Sequence, residues 1–309
     1  MTSKERVFAT LKFKPTDRVA LDITEGVIWP ELYDYFSIKH NIKERDEILN
    51  FLDTDFRWIE PVFVQDKNSD SHEFEYIDFE YFRKKWPDHA IALQSFAVPY
   101  FWESCSQLGA TDVFYVIYDE PDKYESMLQN MEKLSIKRLV NLLDMAKDNV
   151  DIVSIWDDFS GQNGMLIDPA WWRKALKPYY RREIDLIHSY GKKVFFHSCG
   201  SIRPIIGDLI EIGTDAITVF QINAYDMNPK SIAEEFGGKI CFYGGIDVQH
   251  LLTYGTPEEV QSQVRHNIDC FKNCGGYIVA NCHSSIPEIQ GENMVAMCKT
   301  ERKSINTNM

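Results

Sequence analysis

The chain has 309 residues, with 47 acidic against 33 basic side chains and a formal net charge of -14. Phosphate contact is made by Lys and Arg, so this balance excludes nucleic acid as an expected partner, and it disfavours a polyanionic substrate unless basic groups gather locally. A hydrophobic fraction of 44% is ordinary for a globular protein and supplies a large core.

The first element is a helix over residues 2–13. Thr2 and Glu5 form a T-x-x-E capping box ahead of apolar Val7, Phe8 and Leu11. Lys14-Pro15-Thr16-Asp17 breaks it, and residues 18–23 read as a first strand. Further strands are expected near 55–60 and 90–96. Residues 66–90 are polar and aromatic and read as a loop or small hairpin over one rim. Residues 119–148 read as one long helix or two. The second half is more regular. Strands are expected at 151–156, 193–197, 215–220, 240–243 and 277–280. Helices are expected at 169–190, 202–212, 231–236, 257–274 and 289–300. Strands alternating with helices at this spacing predict βαβ units and a parallel sheet. Eight strands are the number of a TIM (β/α)8 barrel, and such barrels commonly place ~250 residues or more in one domain. One domain over 1–309 is therefore expected, with a polar tail at 303–309.

No apolar run reaches the ~18 residues of a membrane helix. The charged start Met1-Thr2-Ser3-Lys4-Glu5-Arg6 lacks the apolar stretch of a signal peptide, so a cytoplasmic protein is expected. The seven cysteines are odd in number and form no dense framework, which reads as thiols or metal ligands rather than disulfides.

Active residues of such barrels sit at the C-terminal ends of strands. The sharpest pattern there is His197-Ser198-Cys199-Gly200. Residues i and i+2 of an extended chain point to one side, so an imidazole and a thiolate can meet one ion. A catalytic zinc takes three protein ligands and keeps one open position. Cys282 and His283, after the last strand, are the candidates for the third. The alternative is a buried thiol and a hydrogen-bonded core histidine. Asp157 and Asp158 follow a strand and can act as proton acceptors or hold an amine, or else cap a helix. Asp247, after Gly244-Gly245-Ile246, can bind substrate or cap the next helix. Gln162, Gln221 and Tyr243 are candidate substrate contacts. Cys270 and Cys274 stand one helical turn apart without a matching pair and read as core thiols.

The segment Phe196-His197-Ser198-Cys199-Gly200-Ser201-Ile202-Arg203-Pro204 resembles the HSCG segment of the uroporphyrinogen decarboxylase superfamily. Three more segments agree in order. They are Asp158-Phe159-Ser160-Gly161-Gln162-Asn163-Gly164 with Asp168-Pro169 and Lys177-Pro178, then Gly244-Gly245-Ile246-Asp247-Val248-Gln249, and Gly275-Gly276-Tyr277-Ile278 with Glu292-Asn293. The resemblance is strong over 150–300 and implies a TIM barrel. In its decarboxylase branch, which works without metal, N-terminal arginines hold the tetrapyrrole. Here that region reads Asp22-Ile23-Thr24-Glu25-Gly26, and Arg18 is the only basic residue nearby. In its cobalamin-linked methyltransferase branch, a His-x-Cys pair and a later cysteine hold zinc, which readies a thiol such as coenzyme M to take a methyl group from a corrinoid protein. His197 and Cys199 match the pair. Ala280-Asn281-Cys282-His283 departs from the Ala-Pro-Gly-Cys pattern, and an ungapped match puts His283 on the ligand position, with Cys282 as the alternative.

The resemblance thus implies a zinc-dependent methyltransferase. It would move a methyl group between a corrinoid protein and a thiol or tetrahydrofolate-type acceptor, with Asp157, Asp158 and Asp247 in the chemistry. A metal-free decarboxylase and a non-catalytic ligand-binding barrel are the alternative readings. Oligomeric state is not readable from the sequence.

Overall fold

The computed structural model describes residues 1–65, 72–74, 76–95 and 97–302. Eight parallel strands among them form the barrel wall: β1 (Ala20–Leu21), β2 (Phe56–Ile59), β3 (Ala90–Gln94), β4 (Ile152–Trp156), β5 (Lys193–His197), β6 (Ala216–Phe220), β7 (Cys241–Ile246) and β8 (Tyr277–Asn281). Each pairs with its neighbour in chain order from β2 to β8, and β1 returns to pair with β8 at Ala20–Ile278 and Leu21–Val279. The seam between β1 and β2 is narrow. Asp55 N–H donates to Leu21 O (2.8 Å), and Leu21 N–H donates to the buried Asp55 carboxylate (2.8 Å), so a side chain stands in for a ladder bond. Arg6 and Arg18 hold that carboxylate.

Strand alternation divides the core in two. Ala20, Phe56, Ala92, Ile152, Phe195, Ala216, Tyr243 and Ile278 fill the barrel interior. Leu21, Val153, Val194, Phe196, Ile217, Phe242 and Val279 point outward into the layer shared with the helices. Helix α1 (Ser3–Leu11) begins at the expected capping box and adds Val7 and Leu11 to the interior cluster. It lies across the N-terminal end of the barrel, where Lys4 N–H donates to Asp88 O and the Cys241 thiol donates to Thr10 O.

The remaining helices include α2 (Pro30–His40), α3 (Arg45–Leu52), α4 (Phe79–Lys85), α5 (Tyr100–Leu108), α6 (Asp112–Asp119) and α7 (Pro121–Ala146). The stretch expected as one helix over 169–190 is two, α8 (Pro169–Ala175) and α9 (Lys177–Ser189). Pro178 has no N–H for a continuous ladder and opens the second of them. The rim hairpin expected in 66–90 is present in part, as Phe63–Gln65 paired with His72–Phe74, followed by α4. Residues 66–71 and the polar tail expected at 303–309 lie outside the described residues. Among the described residues, no helix is long and apolar enough to cross a membrane.

Candidate active site

At the C-terminal end of the barrel the registers align one row of side chains. Trp156 pairs with His197, His197 with Thr218, and Thr218 with Tyr243. His197 ends β5 on the interior side, the parity of Phe195, and Cys199 follows two residues on. The Cys199 sulfur stands 3.6 Å from His197 Nε2. The other ring nitrogen, Nδ1, is 2.9 Å from Glu25 Oε1.

Three side chains hold the backbone after His197. Asp158 Oδ1 accepts from Cys199 N–H (2.8 Å), Ser160 Oγ donates to Cys199 O, and Gln221 Oε1 accepts from Gly200 N–H. Gly200 has φ +83°, and a Cβ there would stand 2.5 Å from Gly161 O, so only glycine fits this turn. Ligand atoms of Asp158, His197 and Cys199 lie within 4.8 Å of one another. His283 stands outside that trio. It reaches the Cys199 thiol from the segment after β8, although β8 lies three strands from β5. The two strands converge through their loops rather than through the sheet.

The electrostatics fit a reactive thiol. Burial opposes ionisation of Cys199, but hydrogen bonds with His197 and His283 more than offset it, and its pKa falls below the ordinary thiol value. Burial opposes charge on His197, yet Cys199 and Glu25 together raise its pKa well above the ordinary histidine value. The Cys199 contact raises His283 as well. Cys282 is different. It packs in the outer core, where burial pushes its thiol up to about 12. Adjacent residues face opposite ways, and it is His283 that the chain turns toward Cys199.

Glu25 was not among the residues nominated from the sequence. It follows β1 with φ +56°, the left-handed region that non-glycine residues seldom adopt. Its loop is tied down from the far end of the chain: Thr24 N–H donates to Asn281 Oδ1 (3.0 Å), and Ser284 Oγ donates to Glu25 Oε2 (3.3 Å). The signal available in the sequence was a carboxylate four residues past the end of β1. Glu25, Asp158, Trp156 and His197 line a cleft of about 200 Å³, with Gln94, Ser95 and Ser154 as its remaining polar wall.

Several nominated residues lie elsewhere. Asp157 points out of the barrel, opposite to Asp158. It is fully buried and accepts from Phe101 N–H (2.7 Å), Trp102 N–H (2.9 Å) and Tyr180 OH, so it caps α5 rather than facing the cleft. Asp247 accepts from the N–H groups of Gln249, His250 and Leu251 and caps the turn after β7. Gln162 is exposed at the tip of a two-stranded turn, Ser160–Gly161 with Gly164–Met165. Gln221 holds the Gly200 turn through its side-chain oxygen. Tyr243 is buried below the cleft, where its hydroxyl donates to Asp22 Oδ2 (2.9 Å). The sequence could not separate Asp157 from Asp158 by residue type; strand parity separates them.

Comparison with known proteins agrees with this architecture. The family profile of uroporphyrinogen decarboxylase (URO-D) matches residues 98–304. A uroporphyrinogen decarboxylase of Vesicomyosocius okutanii subsp. Calyptogena okutanii (strain HA) is 22% identical over 185 residues, which is 58% of this chain and 48% of that protein. The chain thus spans about half the length of the curated relative it matches. A solved methyltransferase from Methanosarcina mazei superposes with a TM-score of 0.68 at 15% identity, over 96% of this chain and 97% of the other. An L-ribulose 3-epimerase superposes at 0.52 with 8% identity, over 92% of each chain. At these identities the likeness is one of fold.

Proposed function

This chain belongs to the uroporphyrinogen decarboxylase family, and we propose that it is a zinc-dependent methyltransferase exchanging a methyl group between a corrinoid carried by a partner protein and a thiol acceptor. The observation that carries this reading is the His197–Cys199 pair. Zinc ligands at about 2.0–2.1 Å (nitrogen) and 2.3 Å (sulfur), set at a tetrahedral angle, stand about 3.5–3.6 Å apart. That is the separation between His197 Nε2 and Cys199 Sγ. Glu25 on Nδ1 leaves Nε2 free for the ion, as second-shell carboxylates do for metal-binding histidines. His283 completes the set, and Asp158, which holds the Cys199 backbone, is left facing the cleft.

When bound, zinc supplies the Lewis acidity that keeps an acceptor thiol ionised at neutral pH. The chain's residues do the rest. Glu25 fixes the ring and tautomer of His197. Asp158, Ser160 and Gln221 fix the backbone that aims the Cys199 sulfur. Trp156, Gln94 and Ser154 enclose the acceptor away from bulk water. The partner protein fits the rim, where exposed Trp29, Trp102, Leu166 and Tyr225 stand in segments that follow β1, β3, β4 and β6. A thiol suits the cleft better than a tetrahydrofolate-type acceptor, because its small volume offers no cation for a glutamate tail. A porphyrinogen with eight carboxylates suits it less still.

The test is elemental analysis of protein purified without chelator, joined to loss of methylcobalamin absorbance with a thiol present. About one zinc per chain is expected. Cys199→Ala and His197→Ala should abolish binding, and Glu25→Gln should weaken it by about 10–100-fold. Metal-free wild-type protein that still converts uroporphyrinogen to coproporphyrinogen would refute the reading.

A further inference from the structure

The cleft also constrains the charge of what enters it. On the reading above, which this inference rests on, the thiol sulfur goes to the His197–Cys199 centre and the remainder of the acceptor lies in the cleft. Its walls carry two carboxylates, Glu25 and Asp158, and among the described lining residues there is no lysine or arginine. The guanidinium of Arg45, in α3, is engaged elsewhere. It donates through Nε to Gly26 O (3.1 Å) and through Nη1 to Trp58 O (3.4 Å), and it lines a separate groove with Tyr76 and Tyr81. Arg18 is committed to Asp53 and Asp55. A divalent ion does not reverse the balance, since Cys199, Glu25 and Asp158 together outnumber its charge.

A sulfonate or carboxylate tail here would face Glu25 and Asp158 with no lysine or arginine among the described lining residues. At about 5 Å and an effective dielectric of ~20, that repulsion alone is worth roughly a hundredfold in affinity. A cation gains instead, from the carboxylates and from an aromatic face. Trp156 lines the cleft, and its ring packs against Trp102 with centroids 5.9 Å apart and planes at 57°. We propose that the acceptor is a short aminothiol, with its ammonium held by Trp156, Asp158 and Glu25, and that thiols with acidic tails are excluded.

Three two-carbon thiols that differ only in their tails decide this: 2-aminoethanethiol, 2-mercaptoethanol and 2-mercaptoethanesulfonate. Each is titrated calorimetrically into zinc-loaded protein. The amine should bind at least about a thousandfold more tightly than the sulfonate, with the alcohol between them and about a hundredfold above the sulfonate. Trp156→Leu should weaken the amine about tenfold more than it weakens the alcohol. Equal affinities for the three thiols, a preference for the sulfonate, or a Trp156→Leu variant that weakens all three alike would overturn the proposal while leaving the zinc reading intact. A second arm uses metal-free protein and the sulfur-free analogues ethanolamine and 2-hydroxyethanesulfonate, followed by tryptophan fluorescence. Preference for ethanolamine in a protein that takes up no zinc would sink the metal reading and uphold the charge selection. Binding of neither analogue, with no zinc retained, would overturn both.

Discussion

Asp157→Ala tests the division of labour between two adjacent carboxylates. Removing the Asp157 carboxyl strips the acceptor from Phe101 N–H, Trp102 N–H and Tyr180 OH in a site with no solvent exposure. A buried donor left unsatisfied costs about 1–3 kcal/mol, so three cost roughly 6 kcal/mol. An opposing effect comes from titration. Burial, against the pull of those donors, raises Asp157 from 3.8 to about 7. A carboxyl raised in the folded state stabilises fully below its unfolded pKa, and that contribution is lost as pH rises toward the folded value. The alanine variant escapes this penalty, which is about 1.7 kcal/mol at pH 5 and about 4 kcal/mol at pH 7. The lost acceptors win at both values. Urea denaturation followed by circular dichroism should show a loss of about 4 kcal/mol at pH 5, shrinking to about 2 kcal/mol at pH 7. Zinc content per folded chain should be unchanged. Asp158→Asn should show the reverse pattern, with stability within about 1 kcal/mol of wild type and weakened metal binding. An Asp157→Ala protein of wild-type stability that has lost its metal would refute the parity argument.

Glu183 offers a second linkage test away from the cleft. Burial raises its carboxyl to about 7, although Ser135 and Tyr100 both donate to it. Wild type should therefore lose roughly 3 kcal/mol relative to Glu183→Gln between pH 4.5 and 7, and parallel stability curves for the two proteins would contradict the assignment. Gly200→Ala should displace the His197–Cys199 turn, because the new methyl meets the Gly161 backbone at 2.5–2.7 Å. A loss of at least about 2 kcal/mol and impaired zinc uptake are expected, and a variant with wild-type melting and metal content would show that the turn can relax.

The barrel was legible because each strand is a short apolar run at a regular spacing, and every run expected from the sequence overlaps one of the eight strands. Strand boundaries were less legible. The strand expected at 240–243 stops before Gly244-Gly245, yet both residues continue β7 to Ile246, paired with Val279 and Ala280 of β8. In the site, His197 and Cys199 carried a local signal, a two-residue spacing at a strand end. Asp157 and Asp158 carried the same composition signal, and only the parity of Ser154 and Trp156 tells which faces inward. Glu25 had no local signal of comparable strength. Its position depends on Thr24 meeting Asn281, 257 residues away, and on a left-handed turn at a residue type that does not announce one. Contacts that distant are products of ring closure, which no periodicity within one segment encodes.

Ring closure also has a floor. With Val7 and Leu11 of α1 filling the N-terminal end of the barrel, the cleft is a blind chamber with one mouth. Whatever enters must leave by the same door, and on the proposed chemistry a large donor seated on the rim would close that door behind it. The chamber therefore imposes a queue. A small acceptor has to be in place before the donor docks, and the methylated product has to wait for the donor to withdraw. On the proposed chemistry, steady-state kinetics should show compulsory order, with the acceptor binding first and its product leaving last.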